Sequence, residues 1–178
     1  MEDTESRTDK NMPIKTAILT ISTRGSQGRQ EDTSGAAIKE LVTQIDGDVV
    51  DYQIIPDDKK QIVQQLRRMV EEIKADLILT TGGTGLSPND VTPEATLEVI
   101  ERRVPGFEEV MRMTGFKKTP HALLSRAVVG TLKSSLIINL PGSPKGVKEN
   151  LEAILPAIPH GIKILKGGLV EDQEHSFK

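Results

Sequence analysis

Four short apolar runs, each about one strand long and each followed by turn-forming residues, set the tightest limit on what this chain can fold into. They occupy residues 15–22 (KTAILTIS), 49–55, 75–81 and 136–140. The centres of the first, third and fourth are continuous in apolar and β-branched residues, as expected of strands covered on both faces, while the second reads as a strand from Val49 to Ile55. Between the first three runs, apolar residues recur at helical spacing: Ala36, Ala37, Ile38, Leu41, Val42 and Ile45, then Ile62, Val63, Leu66, Met69, Val70 and Ile73. Strand, helix, strand, helix, strand is the order of βαβ units with a parallel sheet. After the fourth run a helix is expected through Val147, Leu151, Ile154 and Leu155. Residues 93–103 and 105–114 read as helices, with Thr92 as N-cap and Pro93 at the first helical position. Residues 127–132 read as an added strand.

With 178 residues and no linker or internal repeat, the chain is expected to form one α/β domain over residues 14–167, with flexible polar tails at 1–13 and 168–178. The net charge of −3 lacks the cationic surplus that phosphate backbones select for. Tyr52, Phe107, Phe116 and Phe177, the chain's aromatics, are too scattered to stack bases. No nucleic-acid partner is expected. The absence of cysteine excludes disulfides, thiolate metal sites and a thiol nucleophile. The first thirteen residues carry no apolar stretch resembling a signal sequence, and no window approaches the roughly 18 apolar residues of a membrane span. A cytoplasmic location without a membrane partner is the simplest expectation.

In open α/β sheets, ligands settle beyond the carboxyl ends of the strands. Four loops therefore qualify: residues 22–35, 56–58, 80–94 and 141–145. The most informative is Thr80-Thr81-Gly82-Gly83-Thr84-Gly85, whose glycines let backbone amides approach an anion and whose threonines can donate to phosphate oxygens. It lacks the Gly-Lys-Ser/Thr ending of a Walker A loop and the glycine spacing of a dinucleotide fingerprint. A plain tight turn is the competing reading. Asp90, just ahead of a helix start, either satisfies helix amides or holds a divalent cation beside phosphate. Asp57, after Pro56 at a strand end, is either a pocket acid or an ordinary turn carboxylate. His121, His160 and His175 lack the spacing of a zinc site. Met69, Met111 and Met113 suit packing better than ligation.

The segments TTGGTGLSPNDVTPEAT and NLPGSPKGVKENLEAILPAIPHGIKIL resemble the Mog/MoaB family of molybdopterin-binding proteins. ISTRGSQGRQEDTSG, IIPDD, RRVPGFEEVMR and PHALLSRAV agree in order and spacing, so the resemblance spans roughly residues 14–166. It implies a three-layer α-β-α domain with a mixed, largely parallel sheet. The PHALLSR and NLPGSPKG wording is closer to the Mog branch, which implies molybdopterin adenylyltransferase activity: AMP passes from ATP to the terminal phosphate of molybdopterin and pyrophosphate is released. Molybdopterin and ATP are then the substrates, Mg2+ the cation, a homotrimer the assembly, and a molybdenum-inserting enzyme the recipient of the product.

The same resemblance implies that Gly82, Gly83, Thr84 and Gly85, with Thr81, form the phosphate-binding loop, and that Asp57 and Asp90 are active-site acids holding magnesium and orienting the pterin. Ser125 and Arg126 match the family's LSR element, where Arg126 can offer a planar fork to phosphate or a surface ion pair. Pro141, Gly142 and Ser143 match a pocket-lining loop, Ser143 doubling as N-cap ahead of Pro144. Ser22 is a pocket residue by position, while Thr23 departs from the Asp-Arg pair often found there. A MoaB-like module that binds molybdopterin without turnover is the alternative, and a phosphate-ligand protein unrelated to pterins is a third reading.

Overall fold

The computed structural model describes residues 12–167, so the expected tails lie outside the described residues except for Met12 and Pro13. Strand β1 (Ile14–Ile21) leads through a short helix α1 (Thr23–Ser26) into α2 (Thr33–Val42), which closes on a 3-10 turn (Thr43–Ile45). Then come β2 (Gly47–Ile55), α3 (Lys59–Glu71), β3 (Leu77–Thr81), α4 (Thr92–Val99) and a two-residue strand β4 (Arg102–Arg103). The chain continues through α5 (Pro105–Phe116), a 3-10 segment (Pro120–Leu124), β5 (Val129–Leu132), β6 (Ser135–Leu140), α6 (Pro144–Ile154), a 3-10 turn (Leu155–Ala157) and α7 (Ile158–Leu165).

The six strands form one sheet in the order β2-β1-β3-β6-β5-β4. Its first four strands are mutually parallel, while β5 runs antiparallel to both β6 and β4. The sheet is mixed and largely parallel. Alternate side chains of the central strands feed opposite layers, as a pleated strand requires. Ile18, Leu77, Leu79, Leu136 and Ile138 pack under α2, α5, α6 and α7, whereas Ala17, Leu19, Ile78 and Ile137 pack under α3 and α4. Burial of each such branched side chain contributes about 1.5–3 kcal/mol. Among the described residues, no helix is long and apolar enough to cross a membrane.

The helix expected over 93–103 ends at Val99, and Arg102–Arg103 form the edge strand. Ile100 leaves helical geometry (φ −71, ψ 147), after which Glu101 N donates to Thr131 O and Val104 N to Val129 O, each at 2.8 Å. The open edge of β5 takes the amides that would have continued the helix. The strand expected over 127–132 begins at Val129, because Val128 N is drawn to the side chain of Asn139 at 3.1 Å.

Candidate active site

Registers among the parallel strands align their carboxyl ends: Ile21 lies beside Ile55, Thr20 beside Thr81, and Thr81 beside Leu140. The loops that follow β1, β2, β3 and β6 therefore open on one rim. After β1 the chain turns to α2 on one face, and after β3 to α4 on the other, so the gap between these neighbours is a crevice of the kind where α/β sheets bind ligands.

Gly82 and Gly83 adopt positive φ angles of 99 and 65, and a Cβ on Gly82 would meet the Ile21 carbonyl at 2.3 Å. Only glycine fits this close approach to β1. The carbonyls of the loop are all held. Thr92 Oγ1 donates to Gly82 O at 2.9 Å and Thr92 N to Gly83 O at 3.2 Å, while Arg126 N donates to Thr84 O at 2.9 Å and Arg126 Nε to Gly85 O at 2.7 Å. A trans peptide sets its N–H opposite its carbonyl. The amides of Gly83, Thr84, Gly85 and Leu86 are therefore turned away from Thr92 and Arg126, and none donates to a backbone carbonyl among the described residues. Successive outward amides of this kind form an anion-binding concavity.

Thr92 is accordingly not the N-cap expected of it: Val91 occupies that position and Thr92 is the first helical residue. Its hydroxyl and amide are engaged by the glycine loop instead. Ser143 does cap α6, accepting from Gly146 N at 3.0 Å, and Ser22 caps α1 by accepting from Gly25 N at 3.0 Å.

Two cavities flank the loop. The first, about 530 Å³, has Ser22, Asp57, Thr81, Gly82 and Gly83 in its wall, and the second, about 550 Å³, has Thr84, Gly85, Asp90, Ser125 and Pro141. Gly83, Gly142 and Ser143 line both. Of the site residues expected from the family resemblance, only Arg126 lines neither. Asp57 Oδ2 accepts from Thr23 N at 3.0 Å and from Thr23 Oγ1 at 2.8 Å, which leaves Oδ1 toward Gly83. Asp90 Oδ2 accepts from Ser87 N at 3.0 Å and stands close to Gly85. One carboxylate thus borders each end of the glycine loop. The Thr81 hydroxyl donates to Pro141 O at 2.6 Å, and Ser125 Oγ accepts from Ala127 N at 3.3 Å.

Arg126 spends its fork on protein. Besides Gly85 O it donates through Nη2 to Asp90 O at 2.8 Å and through Nη1 to Glu94. Partial burial works to raise the Glu94 carboxyl, but its hydrogen bonds, that from Arg126 foremost, and the Arg126 charge hold it below its ordinary value.

The sequence match to the family described as "Probable molybdopterin binding domain" covers residues 17–160, from β1 into α7 and so through every loop of the rim. The chain belongs to this family. Molybdopterin adenylyltransferase of Helicobacter pylori strain J99 is 42% identical over 167 residues, spanning 93% of this chain and 95% of that protein. The Escherichia coli K12 protein of the same name is 38% identical over 172 residues, spanning 89% and 88%. Among solved structures, the molybdopterin biosynthesis enzyme MoaB of Thermus thermophilus superposes with a TM-score of 0.83 at 46% identity, covering 89% of this chain and 99% of that one.

Several residues of this molybdopterin-binding family member escaped the sequence reading. Asp32 lies in the first cavity and caps α2, accepting from Gly35 N at 2.8 Å through Oδ1. Its Oδ2 accepts from Thr20 Oγ1 at 2.5 Å and from the Tyr52 hydroxyl. Burial, and then the hydrogen bond and charge of Asp32, push the Tyr52 phenol up to about 12. Lys39 Nζ sits 3.8 Å from the centre of the Tyr52 ring. Asp32 ahead of Thr33-Ser34-Gly35 carries an N-cap signal that was available locally. Lys118, His121 and Lys145 enter the wall of the second cavity from the end of α5, the following turn and α6, with no shared local pattern to announce them.

Proposed function

We propose that this protein is a molybdopterin adenylyltransferase. The oxygen of the molybdopterin terminal phosphate attacks the α-phosphorus of ATP, the bond from that phosphorus to the bridging oxygen breaks, and pyrophosphate leaves with the electron pair. The observation that carries this reading is the glycine loop, whose amides from Gly83 to Leu86 have no backbone acceptor among the described residues and lie between two cavities that share Gly83, Gly142 and Ser143. Each cavity has the volume of a small-ligand site. Phosphates entering from the two sides would meet at the common wall. Phosphoryl-type transfer asks chiefly for alignment and charge neutralisation, which fixed amides supply without reorganising. The names of the relatives in Helicobacter pylori and Escherichia coli support the same activity.

Asp57 and Asp90 are the acids we assign to Mg2+. Each directs one oxygen, Oδ2, to protein donors, and among the described residues none donates to its Oδ1. No group of three or more metal-ligating side chains exists among the described residues. A donor set of one or two carboxylates completed by phosphate and water suits magnesium, which is seldom caged by protein alone. When bound, the ion would neutralise phosphate charge. The chain's own part is to hold the two carboxylates at the ends of the loop and to present Ser22, Thr84, Gly142 and Ser143 to the bound anions.

The test is incubation of the purified protein with molybdopterin, ATP and magnesium, followed by mass detection of adenylyl-molybdopterin and pyrophosphate. Both products are expected. Pterin binding without product would leave the non-catalytic molybdopterin-binding module, and nucleotide binding without pterin selectivity would leave a general phosphate-ligand protein. A cytoplasmic homotrimer that passes its product to a molybdenum-inserting enzyme completes the reading. The exposed side chains of Val110, Met113, Phe116, Leu123 and Leu124, on α5 and the turn after it, supply an apolar face for such an assembly. Light scattering with size-exclusion chromatography measures it.

A further inference from the structure

We propose that Arg126 is a positioning residue for the anion-binding loop and not a ligand of the anion. The inference rests on the adenylyl-transfer reading and deepens it by naming what holds the loop in its binding form. Every hydrogen bond that Arg126 donates from its backbone or guanidinium ends on the segment from Thr84 to Glu94. Its N takes Thr84 O at 2.9 Å, Nε takes Gly85 O at 2.7 Å, Nη2 takes Asp90 O at 2.8 Å and Nη1 pairs with Glu94. A guanidinium serves this purpose because its donors leave one rigid plane in divergent directions, so one side chain fixes several carbonyls relative to one another.

Two consequences follow from peptide geometry. Holding the carbonyls of Thr84 and Gly85 turns the amides of Gly85 and Leu86 outward, as Thr92 does for those of Gly83 and Thr84. Holding the Asp90 carbonyl joins the backbone that carries the Asp90 carboxylate to the same plane that grips Gly85, so the acid and the amides keep one spacing. Arg126 lines neither cavity, in keeping with action through the loop.

Backbone amide NMR on the full chain, titrated with inorganic pyrophosphate, tests this without requiring turnover. In the wild type, Gly83, Thr84, Gly85 and Leu86 are expected to shift on titration. In Arg126→Lys, which keeps a positive charge but loses the fork, those four amides are expected to differ from wild type before any anion is added. Pyrophosphate affinity should then fall about tenfold. Glu94→Gln, which leaves the guanidinium in place, should move the same amides less and in the same direction, and serves if Arg126→Lys does not fold. Wild-type amide positions in free Arg126→Lys together with reduced affinity would make Arg126 a direct ligand and overturn the proposal. Altered amides with unchanged affinity would reduce it to a structural part, and a wild-type loop that ignores pyrophosphate would remove its basis. Adenylyl transfer by the wild type is scored separately, so a failed clamp and a failed activity are told apart.

Discussion

The hydroxyl of Tyr52 donates to the carboxylate of Asp32, tying the middle of β2 to the N-cap of α2, a residue that lines the first cavity. The folded phenol, pushed up to about 12 from an ordinary value of 10, holds its proton more tightly than the unfolded one. Its contribution to stability is therefore complete below about pH 10 and is lost as pH rises toward 12. Tyr52→Phe should be less stable than wild type by about 1 kcal/mol at pH 8. That difference should shrink above pH 10 in urea unfolding; a constant difference would contradict the contact.

Gly82→Ala places a methyl 2.3 Å from the Ile21 carbonyl on a residue whose φ is 99. Backbone must move, and a loss on the order of 2–4 kcal/mol is expected. Gly142→Ala is the control: its Cβ would find Gly82 Cα at 3.4 Å, an ordinary contact. It should change the unfolding midpoint little while adding a methyl to the wall shared by the cavities, narrowing them there and slowing turnover. Equal thermal stability for the two variants would argue against the described loop.

Asp90→Asn and Asp57→Asn keep side-chain shape and remove charge from the ends of the glycine loop. Each should lower adenylyl transfer on the order of a hundredfold with the circular dichroism spectrum and melting temperature close to wild type. The magnesium concentration for half-maximal rate should rise in both. Full activity in either variant removes that residue from the mechanism.

Asn139 is fully buried and donates through Nδ2 to Thr80 Oγ1 and Thr96 Oγ1, each at 2.9 Å, while its Oδ1 accepts from Val128 N at 3.1 Å. Asn139→Ala strands these partners in the core between β3, α4 and the start of β5. A loss of about 2–4 kcal/mol is expected from denaturant unfolding. A loss under about 1 kcal/mol would mean that water or a neighbour replaces the amide.

Much of the rim was legible because its signals are local. Continuous apolar runs marked β1, β3 and β6, paired apolar residues at 49–50 and 54–55 marked β2, and a parallel sheet sends the loops after them to one edge. Asp57 and Asp90 were identifiable as acids in such loops, and Ser143 as a cap, from their immediate neighbours alone. Asp32 carried an equally local cap signal, but nothing near it in sequence pointed to Tyr52, a partner twenty residues away. Lys118 reaches the second cavity from the turn after α5 and Lys145 from α6, and no pattern along the chain links them.

The order of residues along the chain was enough to set the alternation of strands and helices, the glycine loop at the end of β3 and the family, since hydrophobic periodicity and glycine content act over a few residues. Packing in three dimensions was needed to make the chain leave α4 at Ile100 and pair with β5, to turn the Thr92 hydroxyl to Gly82 and not to its own helix, and to set Arg126 on the loop's carbonyls. Each of these is a choice between partners worth about 1 kcal/mol apiece. Such near-equal choices are settled by which group the packed sheet and helices bring within hydrogen-bonding distance.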